Sequence, residues 1–356
     1  MIILNAPTFG LYAFGSAVGS AVSALTFGMP IIYAILTKRL SIQIIFVAIG
    51  LSYFLIAGIQ FYNGIESEFL ARFYKFMLLV IFGVEIVKNT SKIELYYFLL
   101  IGASSIIINS IFFTDSYGRY SGLYLDPNSA GFICIVGYGL TYGLDKSKLR
   151  LIGQFLFTFA GFITFSRTFI LIWLIVNLIA LKLNPKNIKI FFVGAAVIAL
   201  LISFSAVLKL NTVRFNQLKA LATNERVSTQ ELNNDSRTET WAPFYKYIYD
   251  KPIFGNGYGS FTAGGYRNKG PHNSFLLVIG EAGIFALLLF LGLQLYTLYY
   301  GFIYFTQKPY ILMMSIGQFL FLLTNHNYFS TYYIILISMW LVHQIKIISE
   351  SRLEPS

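Results

Sequence analysis

Three groups of side chains in this sequence have the type and setting to do chemistry, and each also has a structural reading. Ser166-Arg167 stands immediately before an apolar run at about 168–183, so the guanidinium falls at a helix start. There the helix dipole favours anions, and the planar fork of arginine binds phosphate oxygens two at a time. An arginine at a membrane surface also snorkels toward lipid headgroups, and position alone leaves both roles open. His272, in Pro271-His272-Asn273, lies where a long polar stretch meets the apolar run at about 273–301. It is either an interfacial side chain or a proton acceptor. Glu281 follows about nine residues later within apolar sequence, where a carboxylate is expensive enough to mark a function, with a helix-packing hydrogen bond as the alternative. That separation puts it on the opposite side of a regular helix from His272, which argues against a simple acid/base dyad.

Other chemistries drop out on spacing. Gly255-Asn256-Gly257-Tyr258-Gly259-Ser260 has serine where a dinucleotide fingerprint needs its third glycine, and no Lys-Ser/Thr follows for a phosphate loop. A tight turn returning the chain to the membrane is the plainer reading, with residues 255–265 expected to be mobile. A membrane lipid phosphatase needs a histidine where Trp173 stands, and no serine has the Gly-x-Ser-x-Gly setting of a hydrolase. The single Cys134 forms no internal disulfide, and no Cys/His pair has zinc spacing.

The elements that must position these groups follow from composition. The chain has 356 residues, 56% hydrophobic and only 12% charged, against roughly 25% charged in soluble domains. Lipid is the implied solvent, and the expected fold is an all-α polytopic membrane protein. Eleven apolar runs approach the ~20 residues a span needs: about 10–36, 41–60, 70–87, 93–113, 128–144, 149–165, 168–183, 188–208, 273–301, 309–325 and 328–346. The first and ninth are long enough to tilt, kink or break. The N-terminus lacks a basic region, so no cleaved signal peptide is expected.

Lys38, Arg39, Lys88, Lys92, Lys146, Lys148, Arg150, Lys182, Lys186, Lys189, Lys308, Lys346 and Arg352 fall at every second junction, 13 of the 26 Lys and Arg. Those junctions are expected to be cytoplasmic. The opposite short junctions hold Glu66, Glu68, Asp115, Asp126 and His326. The formal charge of +11 is thus a membrane signature, and nucleic acid is not an expected partner. The division is 1–208 for eight spans, 209–271 for one large external loop, 272–348 for three further spans, and 349–356 for a cytoplasmic tail. Nine basic residues against five acids leave that loop at +4, on the side where no such excess is predicted. Within it, residues 227–237 read as turn or coil, and residues 240–249 as a short amphipathic helix.

Taken in order, Asp126-Pro127-Asn128-Ser129-Ala130-Gly131, Ser166-Arg167 with Leu171, Arg237-Thr238-Glu239-Thr240-Trp241, the glycine turn, and His272-Asn273 with Gly283 resemble the O-antigen ligase and Wzy-type polymerase superfamily. Arg167 with Leu171 matches that family's Arg-x3-Leu at a helix start, and His272 with Gly283 its His-x10-Gly after the large loop. The resemblance covers about residues 120–295. It implies a GT-C-like membrane architecture and a metal-independent, cofactor-free glycosyltransferase. The implied donor is an undecaprenyl-diphosphate-linked glycan at the outer face of the bacterial cytoplasmic membrane, the acceptor is a further glycan, and there is room for a chain-length regulator. Under that reading Arg167 and Arg237 hold the diphosphate as its charge grows, with Arg214 as a third. His272 takes the acceptor's proton, an imidazole having an unperturbed pKa near 6.5. Asp126, Asn128, Asn273 and Glu281 support substrate. Tyr245, Tyr247, Tyr249, Tyr258 and Tyr266 either stack on sugars or anchor at the interface.

A polymerase of lipid-linked repeat units is preferred on the short chain and compact loop. A ligase that passes glycan to lipid A core differs only in acceptor. A transporter or flippase is disfavoured because no inverted repeat is visible and the charges gather on one face. The topology is checked by labelling: a cysteine at position 234 should react with an impermeant reagent from outside and one at position 186 should not. The reverse order would overturn the placement of every site residue.

Overall fold

The computed structural model describes residues 1–62, 65–113, 118–203, 237–262, 265–267 and 269–351, apart from the side chains of residues 237–239. Among these the secondary structure is helical, with a single isolated backbone bridge, Phe61 to Tyr258. The helices are α1 (Ala6–Thr37), α2 (Ile44–Ala57), α3 (Glu66–Phe82), α4 (Val84–Asn89), α5 (Lys92–Phe112), α6 (Pro127–Thr141), α7 (Ser147–Ile163), α8 (Arg167–Leu183), α9 (Lys189–Ser203), α10 (Arg237–Asp250), α11 (Ser274–Ile303), α12 (Pro309–Leu322) and α13 (Tyr332–Ser351). Each apolar run read from the sequence overlaps at least one of them. Five helical stretches are long and apolar enough to cross a membrane by length and composition: α1, α5, residues 185–203, α11 and α13. The protein is thus an all-α membrane protein.

The helix starts have clear local causes. Ser91 and Glu94 form a reciprocal capping box on α5. Asp126, Ser166 and Asn273 each accept from the first free amides of α6, α8 and α11. Proline opens α6 and α12, where its missing N–H costs nothing.

Side-chain contacts sort the junctions into two ends. At one end Lys88 bonds Ser41, Lys92 donates to the Gly143 carbonyl (3.2 Å) and lies over the Tyr310 ring, and Trp340 donates to the Thr90 carbonyl (2.8 Å). The junctions near Ser41, residues 88–92, Gly143 and Tyr310 and the end of α13 therefore share one end of the bundle. The opposite end collects residues 57–62, 118–128, 164–167, 251–262, 265–267, 269–274 and 325–333.

Two of the long helices are broken, both at glycine. In α1, Gly15 has φ 84° and ψ 179°, and the chain reverses there. A Cβ on Gly10 would lie 3.6 Å from Val22, and one on Gly19 2.6 Å from Leu11. Residues 6–14 and 16–37 thus form a helical hairpin. The first arm of nine residues reaches only about 13 Å, too short to span, while the second is long enough. In α11, Gly283 has φ 74° and ψ −170°. The 20 residues that follow can still cross a ~30 Å hydrocarbon layer. Glu281 consequently sits at the break and not in the middle of a span.

Inside the bundle, buried polar groups pair between helices. Tyr138 on α6 donates to Asn177 on α8, and Gln318 on α12 donates to Gln294 on α11 at 2.9 Å. Such pairs hold helices together where lipid offers no alternative partner. An aromatic cluster joins α2, α3 and the 328–330 turn, with Tyr53 stacked on Phe329 at 3.9 Å and Phe54 edge-on to Phe76.

The break at Gly283 admits no side chain. A Cβ there would lie 1.9 Å from the Ile253 carbonyl oxygen, in a backbone conformation that L-residues avoid. Gly283→Ala should lower stability by about 1–3 kcal/mol or more, read as a fall in Tm in detergent. Gly292→Ala, which meets open space on the same helix, should leave Tm unchanged or slightly raised.

Candidate active site

Three helices begin at the end opposite the lysines with the same local device. Leu125, Phe165 and His272 are non-glycine residues in the left-handed region, with φ of 60°, 48° and 48°. Each directly precedes the residue that caps α6, α8 or α11. The left-handed residue turns the chain so that the following Asp, Ser or Asn can swing back onto the helix amides, at a backbone cost of order 1 kcal/mol each. Three positive helix ends are thereby set on one face, which favours an anionic ligand there.

His272 is partly buried and packs edge-on against His326, ring centroids 5.0 Å apart. A Cβ on Gly270 would lie 2.5 Å from His326 Nε2, so the glycine lets the chain pass over that ring. The approach is fixed from below: Asn273 is buried and accepts from the Phe275 and Leu276 amides, and Ser274 donates to the Asn325 carbonyl at 2.6 Å. His326 was legible only as one of three histidines, at a junction poor in basic residues; its pairing with His272 is a tertiary fact.

Arg167 is the first residue of α8 and its side chain is exposed. Ser166 beneath it is fully buried, caps the Phe169 amide and donates to Asn128 Oδ1 at 2.9 Å, tying α8 to the start of α6. Asp126 accepts from the Ser129 amide at 2.7 Å. Arg119, which the motifs do not flag, donates from Nε to the Thr164 carbonyl at 3.2 Å and so joins the loop that presents Arg167. The α6 helix packs on α12, with Phe132 against Phe321, and α12 leads into the His326 turn. Arg167 and His272 therefore share one end of one packed unit. Arg237 begins α10, but its side chain, like all of Arg214, lies outside the described residues.

The glycine turn is a staple and not a mobile loop. The Gly257 amide bonds the Glu281 carbonyl (3.1 Å), and the Asn256 amide bonds that of Gly280 (2.7 Å). On the other side the Tyr258 amide reaches the Ala57 and Gln60 carbonyls, while the Tyr62 amide returns to Tyr258. Glycine is required at 255, 257 and 259, which all have positive φ. At Gly255 a Cβ would meet the Glu281 backbone at 2.4 Å. The expectation of mobility fails for residues 255–261 because their backbone groups are spent on α2 and α11.

Glu281 is the post for this staple. Its Oε1 accepts from the Gly259 and Phe261 amides at 3.0 and 3.1 Å, and its Oε2 from the Tyr53 hydroxyl at 2.6 Å. The side chain is fully buried, so the carboxylate works within the protein. Arg72 on α3, in an ion pair with Glu68, faces the buried Tyr258 hydroxyl from the surface side. Burial pushes the Tyr258 hydroxyl well above its ordinary pKa, keeping it neutral. Among the tyrosines, Tyr247 stacks on Tyr266 at 4.1 Å, and Tyr249 is 80% exposed. The α10 helix rests through Phe244 and Ile248 on Phe261 and Leu277.

Residues 152–291 match the family model Wzy_C, described as O-antigen ligase. The match begins within α7, ends within α11, and takes in Arg167, Arg237, His272, Glu281 and Gly283. Curated proteins supply no match. The superfamily resemblance is thus shown over this stretch, and members of the family are glycosyltransferase-like membrane enzymes of envelope polysaccharide assembly.

Removing the Glu281 carboxylate strands two buried amides and a hydroxyl, each unsatisfied group costing about 1–3 kcal/mol. Glu281→Ala should therefore lower Tm in detergent and open residues 251–262 to protease. Glu281→Gln, which keeps an acceptor for the amides, should do so much less. Equal behaviour of the two variants would mean that the carboxyl oxygens are not what holds the turn.

Proposed function

We propose that this protein is a membrane glycosyltransferase that polymerises lipid-diphosphate-linked oligosaccharide units at the outer face of a bacterial cytoplasmic membrane. The observation that carries the reading is that the stretch matching the O-antigen ligase family brings Arg167 and His272 to one end of the bundle, among three positive helix ends. The face opposite the lysine-rich junctions is then the external one.

The chemistry follows from the groups available. The acceptor's hydroxyl oxygen attacks the anomeric carbon of the donor, and the bond from that carbon to the diphosphate oxygen breaks. The hydroxyl proton passes to His272, and the electron pair leaves on the lipid diphosphate. Arg167 and Arg237, with Arg214, receive that growing charge. Arginines in this role make a divalent metal unnecessary. His326, against the His272 ring, is a positioning residue that fixes the imidazole. Asp126, Asn128 and Asn273 hold the three helix starts, and Glu281 holds the turn beside them. Ligation to a lipid A core uses the same site with a different acceptor.

The test uses purified protein with lipid-linked donor in detergent. Lengthened glycan with released lipid diphosphate is expected in the presence of EDTA, and unchanged donor would sink the transferase reading. His272→Ala should bind donor as wild type does yet transfer about 10²- to 10⁴-fold more slowly, without the acidic limb of the wild-type pH profile. Arg167→Ala should lose most transfer, with little recovered by Arg167→Lys because a point charge replaces a fork. Unchanged turnover per folded molecule in His272→Ala would remove the base assignment.

A further inference from the structure

The hairpin of α1 encloses a crevice outside the matched stretch. Its volume is about 480 Å³, between the two arms of α1, the middle of α3 and the start of α13. Pockets for small ligands run roughly 300–1,000 Å³. Polar side chains, Asn5, Thr8, Ser23, Lys75, Tyr332 and Tyr333, contribute to its lining beside apolar ones. Lys75 is the decisive group. It lies nine residues along α3 from Glu66, about 13 Å from the helix start. Among the described residues it pairs with no carboxylate, and its ammonium lies 5.8 Å from the Phe27 ring centre. A partly buried cation without a carboxylate partner, facing a crevice, suits a ligand of opposite charge.

Arg72 stands one turn nearer the surface on the same face of α3. Glu68 offsets that charge, so the pair of cations keeps one positive charge in excess beside Tyr332. Tyr333 in turn lies next to Ser129 and the Asp126 carboxylate, at the start of α6. The crevice therefore adjoins the candidate active site without being part of it. Leu11 on its lining is 52% exposed, so the crevice also opens along the flank of the bundle, where a lipid tail can leave.

We propose that this crevice seats the phosphate-bearing head of a second polyprenyl lipid, the acceptor, with Lys75 binding its phosphates. The proposal rests on the polymerase reading: joining two lipid-linked units requires two lipid diphosphates on the enzyme at once. Arg167 holds the one whose sugar bond breaks. The crevice holds the one whose sugar hydroxyl attacks, and that lipid keeps its diphosphate throughout.

Saturation binding of ³²P-labelled undecaprenyl diphosphate to the purified full chain tests it. Wild type should take two lipids per chain. Lys75→Met should take one, as should Ser23→Leu, which fills the crevice without touching the charge; Arg167→Ala should lose the other. In transfer assays Lys75→Met should raise the acceptor KM by about tenfold or more, with the donor KM unchanged. One lipid per wild-type chain, or two in both crevice variants, would overturn the proposal. So would displacement of the crevice lipid by an equal concentration of phosphatidylglycerol, since the crevice would then be an ordinary phospholipid site. Two lipids bound with this pattern but no transfer would retain the site and reject the polymerase reading instead.

Discussion

A carboxylate buried in an apolar surrounding must be satisfied fully, and Glu281 is satisfied by groups from three separate parts of the chain: two amides of the glycine turn and the hydroxyl of Tyr53 on α2. The break at Gly283, two residues on, lets the 251–257 backbone approach, and the Ile284 amide closes the contact on the Pro252 carbonyl. These bonds fix where the chain leaving α10 meets the bundle beside the start of α11, which His272 precedes. Without them α11 would have a costly charge near its start and the turn would have no anchor.

The placement of the other groups follows the same economy. The caps of α6, α8 and α11 are made by side chains buried or half-buried at the site end, and each is preceded by a strained left-handed residue. Strain of this kind persists only where packing enforces it. The Ser166 to Asn128 bond and the packing of α6 on α12 supply that enforcement. Above this rigid floor the Arg167 side chain is exposed at the first position of α8.

Much of this was legible in the sequence. Apolar runs of span length are dictated by lipid, and each overlaps a helix among the described residues. The caps at Asp126, Ser166 and Asn273 were present as residue types. The reversal at Gly15 was not, because Gly10 and Gly19 face each other only in three dimensions and a run of uniform hydropathy gives no direction. Nor was the role of Glu281, because its partners lie 20 to 228 residues away. Residues 255–261 looked mobile because glycine was taken for freedom, whereas positive φ and close backbone approach required it there. Lys75 was lost within an apolar run, its significance depending on a crevice that only the hairpin creates.

The staple also imposes an order on biosynthesis. Its amides need acceptors on both α2 and α11, helices that leave the ribosome more than 200 residues apart. While the first ten helices emerge, the end of α2 keeps its Ala57 and Gln60 carbonyls unclaimed by the turn. The Tyr53 hydroxyl likewise waits for a carboxylate not yet made. Only when α11 has threaded into the bundle can the turn close and His272 reach its place. A nascent chain thus lacks the assembled site until α11 is in place, and the His326 turn that packs on His272 is made later still.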